Sequence, residues 1–170
     1  MAVTVTFSDT TGTYVGQSDL FLLNLDAAWN MWAAVLGPTA GTIDIDLRIL
    51  ANGTYGANGV SVATVETGSI GGITVFEAGA AHELRTGNDP NGSAPDATIT
   101  LYSNYIQQYY WLDPLNGTPL PAGKNSIVDV LATTIGHFLG ISGVRDPSTY
   151  QLAGNSQSVF DSLMSVSSNV

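Results

Sequence analysis

Alternating apolar and polar residues mark the extended segments of the chain. The alternation is most regular at residues 42–50, where apolar residues alternate with Asp44, Asp46 and Arg48. Because successive side chains of a strand point to opposite faces, this pattern predicts a strand with one buried and one polar face. We interpret the polar face as solvent-exposed and partly neutralised by Arg48, with a cation between the two aspartates as the alternative. Shorter alternating runs predict further strands at residues 3–7, 60–66, 73–79 and 97–103.

Apolar residues three or four positions apart predict two helices. The first runs from Ser18 to the helix-ending pair Gly37-Pro38, with Ser18 predicted as its N-cap. Its two tryptophans are interpreted as core residues that pack against a sheet. The apolar stripe of this helix consists of Leu22, Leu25, Trp29, Trp32 and Leu36.

The second helix begins at residues 125–126 and ends at Gly140, because a glycine in the left-handed conformation is a common helix stop. At about 100° per residue its apolar side chains cover a broad arc, so the helix is predicted to be mostly buried. The remaining polar stripe contains Asp129, Thr133 and His137.

Loops are predicted where no period is sustained, at residues 51–59, 80–96 and 104–123. The resulting order is strand, helix, several strands, loop, strand, loop and helix. It predicts an α+β fold in which a mixed, twisted β-sheet packs on two helices. Since neither repeats nor a domain-scale linker interrupt the pattern, residues 1–170 are predicted to form a single domain.

The charge balance narrows the classes of partner. The chain has 14 acidic and 4 basic residues, for a net charge of −10. Binding to phosphates needs clustered Lys and Arg, so this balance argues against nucleic acid and against anionic membranes. No apolar run reaches the roughly 18 residues of a membrane span. Because cysteine is absent, there are no thiolate ligands or nucleophiles.

The acidic composition, rich in Gly, Asn, Ser and Thr, resembles that of bacterial proteins exported by a C-terminal signal. This resemblance implies a secreted or cell-surface bacterial protein, of which residues 1–170 form one module. The N-terminal sequence MAVTVTFSDT has no basic start and no apolar core, so we expect no N-terminal secretory signal in this chain.

Residues 133–143, TTIGHFLGISG, resemble the metzincin zinc-protease signature H-E-x-G-H-x-x-G-x-x-H. His137 matches the second zinc histidine, and Gly136 matches the glycine that often precedes it. Gly140 matches the glycine that ends the helix and lets the chain turn towards the third ligand. Further downstream, the sequence DSLMS resembles the Met-turn, which places Met164 beneath the metal.

The order of the other elements extends the metzincin resemblance over nearly the whole chain. The helix and strand predicted within residues 18–50 resemble the backing helix and first long strand of secreted bacterial and matrixin-like members. Residues 97–103 match the edge strand that pairs with substrate in those proteins. The resemblance therefore implies a metzincin-like fold with a backing helix and an active-site-type helix.

Three positions of the signature depart from the family pattern. Thr133 replaces the first zinc histidine, Thr134 the general-base glutamate, and Gly143 the third ligand. Catalytic zinc needs three protein ligands and an open position, and hydrolysis needs a carboxylate that takes a proton from metal-bound water. His137 remains, and Asp146 is the carboxylate that follows the third-ligand position. We therefore predict that these vestigial positions form no functioning zinc-protease centre. We expect no catalytic cofactor, and no zinc, at this site.

His137 has two interpretations. In the first, which we favour, its side chain is hydrogen-bonded to Thr133, to Asp129 or to a backbone carbonyl. In the second, it is a metal ligand. Met164 is a packing residue under both interpretations, because the Met-turn is itself a packing feature.

The polar loop over residues 87–96 carries oxygen atoms of the kind that bind calcium. The spacing fails the EF-hand pattern, because Gly92 falls at position 4 of the loop rather than 6 and no glutamate stands at position 12. We therefore expect a calcium site in this loop because its side chains carry suitable oxygen atoms, and not because their spacing matches a known calcium loop. The candidate ligands are Asp89, Asn91 and Asp96, with Ser93 between them.

Three functions follow from these features. The first, which we expect, is a pseudo-protease that binds an extended peptide or protein by strand addition along residues 97–103. The second is an active metallopeptidase or other hydrolase with a rearranged site, in which His137 acts with Asp146 or His82. The third is a secreted surface or matrix module that calcium stabilises, which is compatible with the first.

Overall fold

The computed structural model of the protein describes residues 3–113, 117–141 and 156–161. The helices in these ranges are α1 (Ser18–Leu36), α2 (Gly79–Thr86), α3 (Ser103–Tyr109) and α4 (Ile127–Phe138), with a 3-10 turn at Val15–Gln17. The strands are β1 (Val3–Asp9), β2 (Ile43–Leu50), β3 (Ala57–Ser61), β4 (Thr64–Ile70), β5 (Ile73–Ala78), β6 (Ala97–Tyr102), β7 (Tyr110–Trp111), β8 (Asn125–Ser126) and β9 (Ser156–Ser158). This mixture confirms the predicted α+β class. None of the described helices is long and apolar enough to cross a membrane.

The four-stranded sheet has the order β1-β2-β6-β3. β1, β2 and β6 are parallel, and β3 is antiparallel to β6. β6 therefore lies inside the sheet with a partner on each side, and the prediction that residues 97–103 form an edge strand is wrong. The edge strands are β1 and β3. The first residues of β3 fall in the loop predicted at 51–59, because glycine and asparagine dominate that segment.

β2 lies inside this sheet, and its inward-facing side chains are at most 1% exposed: Ile43, Ile45, Leu47 and Ile49. Burial of each such side chain contributes about 1.5–3 kcal/mol, which fixes the face that β2 turns inwards. On the polar face, Arg48 donates to Asp46 and, at 3.4 Å, to Thr98 Oγ1. The predicted neutralisation by Arg48 is thus confirmed.

α1 and α4 pack against each other. Trp29 of α1 stacks on Phe138 of α4, with ring centroids 6.5 Å apart. Trp32 Nε1 donates to the carbonyl oxygen of Ala132 at 2.7 Å, and a Cβ atom added at Gly136 would lie 3.0 Å from the Trp32 ring. The tryptophans are packing residues as predicted, and Trp29 also borders Val3 and Val5 of β1. The contact with α4 was not predicted, since an apolar stripe does not specify everything that covers it.

The two long helices differ in how well their ends were predicted. α4 stops as predicted at Gly140, whose φ is 85°, and Ile141 N donates to Gly136 O at 2.9 Å across the stop. The predicted N-cap of α1 is wrong, because Ser18 is already helical and follows the 3-10 turn. Ser126 is the N-cap residue of α4, but its hydroxyl makes no capping hydrogen bond.

Two short helices occupy segments predicted as loops. α2 follows β5 directly and ends at Gly87, whose φ is 76° and whose N–H donates to Glu83 O at 2.7 Å. α3 follows β6 in the same way. With 8 and 7 residues, these helices are too short for a helical period to stand out in the sequence.

A smaller sheet has the order β4-β5-β9, and β7 pairs with β8. β4 and β5 form a hairpin whose turn places Gly71 and Gly72 at positive φ, and β9 runs parallel to β5. The predicted strand at 60–66 is therefore divided between two strands, because β3 belongs to the four-stranded sheet and β4 to the smaller sheet. The space between these two sheets contains the candidate site.

Candidate functional site

A groove with a volume of about 640 Å³ lies beside the edge strand β3. Its other sides are formed by the β4–β5 hairpin, by β9 and by the C-terminal end of α4. Residues from several elements that are distant in the sequence thus face one space. The lining residues include Gly59, Val60, Ser61, Phe76, Glu77 and His137.

Among the described residues, the backbone of β3 offers hydrogen-bonding groups without a partner to this groove. At the ends of β3, Gly56 O accepts from Tyr102 N and Val62 N donates to Asp96 O, which fixes the hydrogen-bonded positions of the pair with β6. Since hydrogen-bonded and non-hydrogen-bonded positions alternate along an antiparallel pair, Gly59 and Ser61 are non-hydrogen-bonded. Their N–H and C=O groups therefore point away from β6, towards the groove.

α4 lies close against β3 at Gly59. A Cβ atom added there would be 2.3 Å from Thr134 O and 2.6 Å from Thr134 Cγ2. Thr134, which matches the general-base glutamate of the metzincin signature, is only 3% exposed, and its hydroxyl donates to Val130 O at 2.7 Å. This position is therefore a packing contact between the helix and the edge strand and presents no carboxylate to the groove.

Thr133 and His137 lie on an exposed stripe of α4, together with Asp129. The Thr133 hydroxyl donates to the backbone oxygen of Asp129 at 2.9 Å. In the described part of the chain, the His137 imidazole has no hydrogen bond, so the favoured pairing with Thr133, Asp129 or a described backbone carbonyl is wrong. Thr133 instead satisfies its hydroxyl within the helix, which leaves His137 free at the groove.

The remaining positions of the zinc signature fall partly outside the structure. Gly143, Asp146 and Met164 are not among the described residues. Within the described ranges, His137 is not part of a group of three side chains whose ligand atoms converge on one point. The described part of the site therefore places one imidazole and two threonines on α4, beside a free strand edge.

Glu77 is the acidic residue that faces the groove from β5. Its carboxylate accepts from Arg85 Nε at 3.1 Å and from Arg85 Nη2 at 2.6 Å, and lies 3.1 Å from His82 Nδ1. The Arg85 hydrogen bonds hold the pKa of Glu77 below its usual value, with a smaller contribution from His82. His82, the alternative partner of His137 in a rearranged site, is thus engaged with Glu77.

A second cluster lies between α2 and the start of β6. Carboxylate oxygens of Glu83, Asp89 and Asp96 all lie within 4.8 Å of one another. Two of these residues belong to the predicted calcium loop, and Glu83 was missed because α2 was predicted as a loop. Asn91, the other predicted ligand, donates from Nδ2 to Ala94 O at 2.6 Å, and its Oδ1 is buried without a hydrogen bond within the described ranges.

The electrostatics of this cluster are unfavourable for two adjacent buried carboxylates. Glu83 is 7% exposed and Asp96 is 4% exposed. Burial, followed by the neighbouring Asp96 carboxylate, raises the pKa of Glu83 to about 7. One oxygen of Asp96 accepts from Asp44 N at 2.7 Å, whereas Asp96 Oδ1 has no hydrogen bond to any described residue.

No protein-family model, curated protein or solved structure matches the chain significantly. The metzincin-like fold therefore stays a prediction from the sequence.

Proposed function

We propose that this chain is a catalytically inactive, metalloprotease-like module that binds an extended peptide by strand addition along β3. The observation that supports this proposal is the free backbone of Gly59 and Ser61, which borders a groove of about 640 Å³. An unpaired strand edge takes up an extended chain through main-chain hydrogen bonds, and adjacent pockets receive alternate side chains. The edge strand β3 thus takes the role that the sequence had assigned to residues 97–103.

The two threonines of α4 support the part of the proposal that the module is catalytically inactive. Thr133 and Thr134 both donate their hydroxyls to carbonyl oxygens one turn earlier, and Thr134 is buried beneath Gly59. Neither side chain can take a proton from metal-bound water at neutral pH, which is the task of the glutamate in the signature. The helix keeps its packing role without the hydrolytic groups.

The groove favours a peptide with small apolar side chains and no net negative charge. Val60 and Phe76 supply apolar surface, and Arg85 and His82 compensate the charge of Glu77. The net charge of −10 repels acidic peptides and attracts basic ones over a longer range. We therefore expect a neutral or basic extended segment.

The proposal is tested with a library of extended peptides, followed by calorimetric titration of the best binder. Strand addition predicts that N-methylation of alternate peptide residues abolishes binding, whereas N-methylation of the residues between them has little effect, because only one set of N–H groups faces β3. Equal effects at all positions, or no binding by any extended peptide, would contradict strand addition.

A pair of valines provides the matched control on the protein. Val60 and Val62 are both 49% exposed, but only Val60 is among the residues that line the groove. Val60→Lys should weaken peptide binding at least about tenfold, equivalent to about 1.4 kcal/mol, and Val62→Lys should not. Peptide cleavage that depends on bound zinc and stops with a chelator would instead establish the alternative, an active metallopeptidase.

A further inference from the structure

The cluster of Glu83, Asp89 and Asp96 joins three parts of the chain. Glu83 lies on α2, Asp89 in the following loop and Asp96 immediately before β6. It is separate from the peptide groove, since none of the three residues is among those that line it. Whatever binds the three carboxylates therefore fixes α2 and its loop to the main sheet.

Two buried oxygens of this cluster have no partner. Glu83 Oε2 and Asp96 Oδ1 are both inaccessible to solvent and accept no hydrogen bond in the described structure. Buried polar atoms are nearly always paired, and an unpaired buried carboxylate is strongly unfavourable. Both atoms belong to side chains that are more than nine-tenths buried and that converge within 4.8 Å. These oxygens therefore call for a positive ligand.

The bases in the described part of the chain do not supply that charge. Arg48 is bound to Asp46, and Arg85 is bound to Glu77. Lys124 donates to backbone oxygens of residues 107 and 108. Each of these cations is thus engaged elsewhere, so an ion from solution is the simplest counter-charge.

We propose that Glu83, Asp89 and Asp96 form a calcium site that clamps α2 and the 87–96 loop onto the main sheet. All three ligands are carboxylates, and hard cations such as calcium bind oxygen. Calcium takes oxygen ligands at about 2.3–2.6 Å in flexible geometry, so opposite ligands lie about 5 Å apart and oxygens within 4.8 Å of one another can share one ion. Magnesium demands near-ideal octahedral geometry at about 2.0–2.1 Å and retains its waters, so carboxylates from three separate parts of the chain suit it less well. The buried, unpartnered Oδ1 of Asn91 is the candidate for a further oxygen ligand.

A proton shared between Glu83 and Asp96 is the competing way to neutralise the cluster. It would stabilise the two buried carboxyl groups without any role for Asp89, which is exposed. The two explanations therefore differ in whether added calcium matters and in whether Asp89 contributes to its effect.

The experiment is a calcium titration of the full chain after removal of bound metal with a chelator, at pH 7.5. Calcium should bind at one site per chain by calorimetry, and a 100-fold excess over Kd should raise Tm by about 5 °C or more. Magnesium at the same concentration should give a smaller rise. The weakest extracellular calcium sites have dissociation constants of about 1 mM, so about 10 mM calcium would saturate even such a site. If Tm did not rise at calcium concentrations up to about 10 mM, the proposal would be overturned.

Three variants assign the effect to the cluster. Asp89→Asn keeps the oxygen that accepts from Asn91 N and Gly92 N, so the loop should fold while calcium affinity falls at least about tenfold. Glu83→Gln should lose the calcium effect as well. The matched control is Glu66→Gln, which removes one exposed acidic charge from β4. An equal rise in Tm in all three variants would show non-specific binding to the acidic surface and would overturn the site.

Discussion

Gly59 is the residue on which the candidate groove depends most directly. The closest atom to a Cβ placed there is the backbone oxygen of Thr134, so a side chain could be accommodated only if α4 moved away from β3. Protein interiors are close-packed, and an added methyl group in such a position forces a backbone shift. A single glycine therefore sets how closely the helix of the zinc-like signature approaches the edge strand.

We predict that Gly59→Ala lowers the free energy of unfolding by about 1–3 kcal/mol, because of this overlap. Urea denaturation followed by circular dichroism measures the change. The control is Gly16→Ala, since a Cβ atom at Gly16 meets no atom within 4 Å and its φ is not left-handed. Gly16→Ala should be neutral or slightly stabilising. If the two variants had the same stability, the close approach of α4 to β3 would be wrong.

At the scale of the element, α1 and α4 are held together by one polar contact within an apolar interface. Trp32 Nε1 donates to Ala132 O at 2.7 Å, while its ring covers Gly136. A hydrogen bond to a helix backbone oxygen fixes the relative position of two helices, which apolar contacts alone do not specify. The orientation of α4 beneath the groove thus depends partly on a side chain of α1.

Trp32→Phe should lower the free energy of unfolding by about 1–2 kcal/mol, because the hydrogen bond and part of the ring contact are lost. Trp111→Phe is the matched control, since Trp111 Nε1 is buried without a hydrogen bond in the described structure. Removal of an unpartnered N–H group leaves no donor or acceptor unsatisfied, so this variant should lose only ring contacts and be less destabilised than Trp32→Phe. Thermal unfolding of both variants distinguishes them, and equal losses would argue against the Trp32 contact.

At the scale of the whole molecule, acidic residues greatly outnumber basic ones, so few carboxylates have a basic partner. Glu77 is one that does, and its partners Arg85 and His82 lie on α2. This ion pair therefore joins the smaller sheet to α2, next to the carboxylate cluster. The pKa of Glu77 is lowered from its ordinary value of 4.5, chiefly by Arg85.

A lowered pKa gives the ion pair a defined pH dependence. Its stabilisation is complete above the unfolded pKa and is lost as the pH falls through the lower, folded value. Between pH 6 and pH 3, the wild-type protein should therefore lose more free energy of unfolding than Glu77→Gln does. Urea denaturation at both pH values measures this difference, with the exposed Glu66→Gln as control. If Glu77→Gln lost as much as wild type, the ion pair would contribute no stability.

The difference between predicted and observed sites follows from the range of the interactions. Asp89 and Asp96 lie in one loop, where composition predicted them as calcium ligands, and the fold brings their carboxylates together. Their binding of calcium stays a prediction. Glu83 was missed, because its role depends on the short helix α2 and on the fold of the loop around it. Likewise, the hydroxyls of Thr133 and Thr134 bond to backbone oxygens of the same helix, which the sequence pattern did not reveal.

The sequence by itself determined the α+β class, the strand at β2, the two long helices and the stop at Gly140. These features depend on side-chain periods and on local backbone preferences, which neighbouring residues specify. Only the tertiary structure decided that β6 lies inside the sheet, that β3 is one of its two edges and that Glu83 meets Asp96. Strand order and convergence of side chains depend on contacts between residues far apart in the chain, and no local pattern encodes them.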